Sequence, residues 1–191
     1  MLSGFVDLSA AEHRVDAGYG VERLAGPLFG AGVGIAHGRL ALSARARGGT
    51  LSPGGGSVDQ DVGEIGAELR VRAAPWIAFG VGAERRSYSS VLARQRWTMV
   101  HVGVEASLPF ASPGLRGLLG GALVPVVSIP GLPAPDVAFS AAAGLEYARG
   151  RASLGMIYAL ERYDFASSGA GPRLEQLSSL MLRVGVRRGG A

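Results

Sequence analysis

The sequence predicts an all-β protein, a single closed antiparallel up-and-down transmembrane β-barrel of about ten strands over residues 1–191. Apolar residues alternate with charged residues or glycine along most of the chain. No apolar run reaches the roughly 18 residues of a membrane-spanning helix, and the 31 glycines disfavour helices. Mean hydropathy is nevertheless +0.25, which is apolar for a soluble domain. An apolar average without an apolar run is what alternating membrane strands produce.

The alternation is clearest over residues 62–87. Successive side chains leave opposite faces of a strand, so Ile65 and Leu69 share one face while Glu64 and Glu68 share the other. The alternation stops at Pro75 and then restarts. Two alternating runs joined by a short proline-containing break predict a β-hairpin with one aliphatic face and one face of charge and glycine.

The same alternation recurs in order along the chain. Alternating positions run over 2–15, 29–35, 40–47, 62–73, 77–87, 97–108, 115–129, 137–147, 152–161 and 180–187. Most runs are close to the roughly 9–11 residues of a tilted transmembrane strand, or a little longer. The connections are short near His37, Pro75, Pro113 and Gly150. They are longer over 16–27, 48–61, 88–94, 130–135 and 166–175.

Short turns at one rim and longer loops at the other are typical of an outer-membrane barrel. An even number of strands brings both termini to the short-turn rim. Closure leaves no unpaired strand edge, which apolar strands of this kind would otherwise expose.

The glycines indicate which face lines the lumen. They fall mostly on the charged side, and crowding occurs inside a barrel, so the charged side is predicted to face inward. A soluble calycin-like barrel, the alternative, would hide its apolar set inside and show its charges outside. We therefore expect Val81, Val102, Ala143 and Leu182 to face lipid.

This pattern resembles the small bacterial outer-membrane β-barrel proteins of the OmpA-like and OmpX-like class over nearly the whole chain. The resemblance implies a bacterial outer-membrane location, lipopolysaccharide as a lipid partner and insertion by the barrel assembly machinery. Residues 1–4 have neither the basic nor the apolar region of a signal peptide, so we expect a mature or truncated start. Members of this class usually end on an aromatic residue, whereas this chain ends with the sequence VRRGGA.

Composition excludes other classes. The chain has no cysteine, so it has neither disulfides nor thiolate metal sites. The net charge is +4 and the isoelectric point near 10.1, but the 19 basic side chains are all arginines scattered among carboxylates. That distribution does not predict nucleic-acid binding.

The charged face supplies the first candidate site, a lumen charge network. Its predicted members are Asp7, Arg45, Arg47, Glu64, Glu68, Arg70, Arg72, Glu84, Arg86, Glu105, Glu146, Glu161, Arg183 and Arg187, with Arg116 on the same side. Buried charges persist when they are paired, so the near balance predicts a salt-bridged, largely plugged lumen. A charged pore or ligand cavity is the alternative. We expect Arg45, Glu68, Glu105 and Arg183 to lie near mid-height and to pair across the lumen.

The sequence offers little for catalysis. His101 and Glu105 share a face with Ser107, and a histidine–carboxylate pair can act as a general base. No paired aspartates and no histidine–serine partner accompany them, so a structural histidine is predicted and an outer-membrane hydrolase is the weaker alternative. His13 and His37 lack metal-ligand spacing. We predict no enzyme, metal or cofactor, and a structural, adhesive or narrow-pore role.

Two local features remain. Gly30, Gly32 and Gly34 look like part of a phosphate loop, but they lie within a strand pattern without a following helix, which predicts small residues facing a crowded lumen. Arg85, Arg94 and Arg96 have outward parity around the loop near Val91. Since arginine binds phosphate bidentately, they are predicted to bind lipid headgroups, unless they are merely solvated residues flanking a loop.

Overall fold

The computed structural model describes residues 1–18, 20–54, 58–168 and 171–188. Ten antiparallel strands form one closed barrel, with β1 hydrogen-bonded to both β2 and β10. The strands are β1 (Leu2–Asp16), β2 (Val21–His37), β3 (Leu40–Pro53), β4 (Gln60–Ala74), β5 (Ile77–Ser89), β6 (Arg94–Pro109), β7 (Leu115–Ser128), β8 (Pro135–Arg149), β9 (Ala152–Ser168) and β10 (Gly171–Arg188). The predicted fold and strand number are confirmed.

Tight turns join the strands at one rim. Gly38 and Gly150 open two-residue turns with φ of +58° and +60°, a backbone conformation that glycine adopts without strain. Both ends of the described chain lie at this rim, since Leu2 pairs with Arg188 and the Met1 amino group donates to the Ala36 carbonyl at 2.7 Å. The even strand number places them there, as predicted.

The strands extend further toward the opposite rim than the sequence predicted. Most of the expected loops at 16–27, 48–61 and 166–175 is strand, because β2 begins at Val21, β3 reaches Pro53 and β10 begins at Gly171. Beyond the apolar band the outward residues become polar while several inward residues become apolar. The sense of the alternation is thereby weakened or reversed although the hydrogen-bonded pairing continues.

The aliphatic face points outward. Val81, Val102 and Leu182 expose 46%, 53% and 53% of their surface, and Ala143 is also exposed on this face. A soluble calycin-like barrel would present charge here, so the apolar exterior overturns that alternative. In the described part of the chain, no helix is long and apolar enough to span a membrane.

Pro125 occupies the one irregularity in the β6–β7 pairing. The register shifts between Val100 and Val102, where Val100 faces Val126 and Val102 faces Leu123. One extra residue of β7 therefore bulges opposite β6, and a bulge accommodates a proline that cannot donate to the ladder.

A charge on the outer wall tests whether that wall meets lipid. We expect Leu182→Arg to lower the free energy of unfolding by about 2–4 kcal/mol, the cost of a midplane arginine on a lipid face. Urea titration in lipid vesicles measures it, with Ser87→Arg, an outward position beside Arg96 above the apolar band, as the control. Equal stability of the two variants would contradict a lipid-facing wall.

Candidate functional site

An apolar layer fills the half of the lumen nearest the longer connections. Trp97 is 1% exposed and makes edge contacts with Tyr163 and Phe165, at ring-centroid distances of 4.9 and 6.3 Å. The aromatic layer, as we call it, consists of these rings with Leu28, Leu51, Val62, Tyr88, Met99 and Leu177. The prediction of a polar lumen is wrong for this half.

Six charged side chains lie next to the aromatic layer on its short-turn side, which we call below, and they bridge the lumen. Arg86 is the centre of this six-charge cluster, 2.9 Å from Glu64 and 2.7 Å from both Glu84 and Glu161. The full membership is Arg45, Arg47, Glu64, Glu84, Arg86 and Glu161. Because Glu161 lies on β9 and the other five lie on β3–β5, the cluster ties opposite walls together. Three arginines balance three glutamates, which removes the cost of an uncompensated buried charge.

Arg45 and Arg47 add further ion pairs to the buried carboxylates. Arg47 donates to Glu64 at 2.8 Å and Arg45 donates to Glu84 at 2.6 Å. The Tyr163 hydroxyl donates to Glu161 at 2.9 Å, which links the cluster to the aromatic layer. The two layers are therefore in direct contact.

The four residues expected to pair across the lumen instead have partners on the same or nearby strands. Arg45 belongs to the six-charge cluster, while Glu68 and Glu105 both bind Arg70, at 2.7 and 3.2 Å. Arg183 lies 3.8 Å from Asp7 and stacks its guanidinium over the Phe5 ring at 4.2 Å. The parity of a residue along its strand assigns it to a face of the sheet. Its height in the barrel and its ion-pair partner depend on the register between strands.

The remaining predicted lumen charges lie near the short-turn rim. Glu146 pairs with Arg116 at 2.8 Å and with Arg187 at 2.9 Å. Arg72 is exposed at this rim and, within the described residues, forms no ion pair. It therefore stands apart from the network that its parity suggested.

Open space lies on the short-turn side of the six-charge cluster. Two cavities of about 220 and 290 Å³ lie in the short-turn half, which we call the vestibule. Both are bordered by Arg45, Glu68, Arg70, Glu84 and His101. The vestibule is thus lined by ion pairs and small residues.

His101 lies in the vestibule without the partner that catalysis would need. Its ring packs over Gly82, where a Cβ atom would overlap it. The Glu105 carboxylate is bound to Arg70, and no hydrogen bond joins it to His101 in the described chain. Gly30 and Gly32 of β2 likewise leave room for inward side chains, since added Cβ atoms there would meet Asp7 and Phe5.

A histidine–glutamate pair that the sequence analysis did not identify lies where the lumen opens at the long-loop rim, which we call the outer mouth. His13 Nε2 is 3.3 Å from Glu175, Nδ1 is 3.3 Å from Gln60, and the ring stacks on Tyr88 at 4.5 Å. A cup of about 620 Å³ opens above it. The inward parity of His13 was visible in the sequence, but Glu175 fell in a segment predicted to be a loop, so the pair was missed.

Arg85, Arg94 and Arg96 lie outward and exposed, as their parity predicted. Arg85 faces Thr98 across the β5–β6 ladder, Arg96 faces Ser87 and Arg94 faces Ser89. Ten other arginines of the described chain lie within 4 Å of a carboxylate, whereas none of these three does. The three form an unneutralised basic patch at the upper edge of the apolar band, which we call the rim patch.

No protein-family model matches the chain, and no curated protein matches it in sequence. The solved structures it resembles include the translocator domain of autotransporter NalP from Neisseria meningitidis, at 15% identity and TM-score 0.48, covering 98% of this chain and 88% of that one. Neisserial surface protein A is 14% identical, with a TM-score of 0.43, and the match covers 97% of this chain and 97% of that one. An outer membrane channel from Pseudomonas putida F1 is 13% identical, with a TM-score of 0.48, and the match covers 97% of this chain and 94% of that one. These likenesses concern the barrel fold alone.

Proposed function

We propose that this protein is a bacterial outer-membrane barrel that is closed to solutes and has a structural role. Its interactions are made by its rims and its outer wall. The observation that carries the proposal is the two-layer plug. An aromatic layer excludes water, and directly beneath it the six-charge cluster joins β3–β5 to β9. An apolar exterior and a polar, glycine-rich inner face near the short-turn rim support the membrane location.

The charges favour a plug over a pore. Arg86 and Glu64 expose 1% and 0% of their side chains and are bonded to each other. A charge that guides ions must be hydrated, whereas these two are desolvated and paired with each other. The charges of the vestibule are more exposed, but the aromatic layer separates them from the outer mouth.

Catalysis is not part of the proposal. Glu105 is engaged with Arg70, so it does not orient His101 as a general base requires. His13 and Glu175 are close, but their neighbours Gln60, Tyr88 and Arg173 supply no activated nucleophile. Both pairs are best explained as structural.

Solute efflux tests the closed lumen. Liposomes containing the purified barrel should retain a trapped small sugar as long as protein-free liposomes do. Opening a gap in one layer, with Trp97→Ser and Phe165→Ser or with Arg86→Ser and Glu161→Ser, should leave the lumen closed, because the other layer remains intact. Combining the four changes should produce a leak.

Heat-modifiable gel migration identifies the variants that have folded. Rapid efflux through the unmodified barrel would contradict the proposal, whatever the variants do. Rapid efflux through a folded barrel in which only one layer has been opened would contradict the two-layer arrangement.

A further inference from the structure

We propose that the outer wall carries a binding site for one phosphate-bearing lipid of the outer leaflet, with an acyl chain in a groove across β2–β5 and the phosphate at the rim patch. The inference rests on the membrane location proposed above. It adds a specific occupant and two separate recognition elements, an apolar groove and a set of free arginines.

The groove exists because small outward residues coincide on neighbouring strands. Its floor consists of Ala31, Ala44, Ala46, Ala67 and Ala83, the larger side chains of Val33 and Ile65 border it, and about 860 Å³ of open space lies over it. The row below it, in contrast, carries the larger side chains of Ile35, Leu42, Leu69, Val81 and Val102. A flexible hydrocarbon chain fits such a channel, since it gains dispersion contacts along the whole floor.

The groove rises toward the long-loop rim. Ladder partners run from Ala31 through Ala46 and Ile65 to Arg85 and then Thr98. Such rows climb around a barrel because its strands are tilted. Ala31 is six residues from the short-turn end of β2 at His37, whereas Thr98 is eleven residues from that end of β6 at Pro109. A chain in the groove would therefore ascend from the middle of the apolar band to its upper edge.

Arg85 and Thr98 border the upper end of this same groove. Arg96 lies one outward position above Thr98 on β6, and Arg94 the next one above. Asp61, the outward carboxylate of β4 level with Ser89, accepts a hydrogen bond from Thr50 at 2.8 Å and forms no ion pair among the described residues. The rim patch is therefore free to bind a phosphate where the headgroups of the outer leaflet begin.

Native mass spectrometry with added bisphosphorylated lipid A tests the site. Arg85→Gln/Arg94→Gln/Arg96→Gln removes the phosphate ligands, and Ala46→Leu/Ala67→Leu fills the groove while keeping it apolar. We expect each variant to lower the bound fraction at least fivefold. Dephosphorylated lipid A should bind the unmodified barrel equally weakly.

Each variant has a matched control. Arg149→Gln/Arg151→Gln/Arg188→Gln removes three exposed arginines from the other rim, and Ala141→Leu/Ala143→Leu enlarges outward alanines on β8. Both should bind like the unmodified barrel. Equal binding by all variants overturns the site, and full binding by the groove variant alone overturns the acyl-chain assignment. A barrel that is monodisperse without detergent would instead overturn the membrane location itself.

Discussion

Replacing Arg86 with methionine should lower the free energy of unfolding by about 3–5 kcal/mol, the usual cost of breaking a buried ion pair from one side. The guanidinium contacts Glu64, Glu84 and Glu161, all within 2.9 Å. Without it, three buried carboxylates share Arg45 and Arg47, and the cluster carries a net negative charge. Urea titration in lipid vesicles, followed by gel migration, measures the loss.

Two variants separate the loss of pairing from the loss of a side chain. Arg72→Met removes an inward-parity arginine from the adjacent strand, but one that is exposed and outside the network, so its effect should be small. Arg86→Met/Glu161→Gln restores charge balance and should recover part of the stability. A small effect of Arg86→Met itself would mean that the cluster is hydrated and does not brace the barrel.

Truncating Trp97 to alanine should cost about 3–5 kcal/mol, the range for removing a buried tryptophan or phenylalanine ring. Its indole fills the space between Tyr88, Tyr163 and Phe165, which cannot collapse easily because each belongs to a fixed strand. Circular dichroism during urea unfolding measures this loss without depending on tryptophan emission.

The chain provides a matched control in its other tryptophan. Trp76 lies at the short-turn rim and is 51% exposed, so Trp76→Ala should change stability far less. Comparable losses at both positions would contradict a rigid aromatic layer in the lumen.

The strands were predictable because alternation is a local property. The alternation places Glu64 and Ile65 on opposite faces, and the glycines indicate which face is crowded. The pairing of Arg86 with Glu161 was not predictable, because it joins β5 to β9 across the lumen. It depends on the register of every ladder between them and on the barrel's shear, which no single strand encodes.

The aromatic layer was missed for a different reason. Trp97 and Met99 alternate with more exposed neighbours, but the charges that identify the inward face do not show how its polarity varies with height along the strand. Beyond the apolar band the outward face becomes polar, as at Thr50 and Asp61, while Leu51 and Val62 turn inward. The apolar face therefore changes sides along the β3–β4 hairpin, and this change is the sequence signal for the aromatic layer.

Planar-bilayer recording tests the central claim most directly, because it detects ion flow through a single barrel. The unmodified protein, inserted from detergent and verified as folded, should give no stable conductance steps at any applied voltage. Large, stable, reproducible steps from the unmodified barrel would show that the aromatic layer and the six-charge cluster do not close the lumen, and would contradict the account.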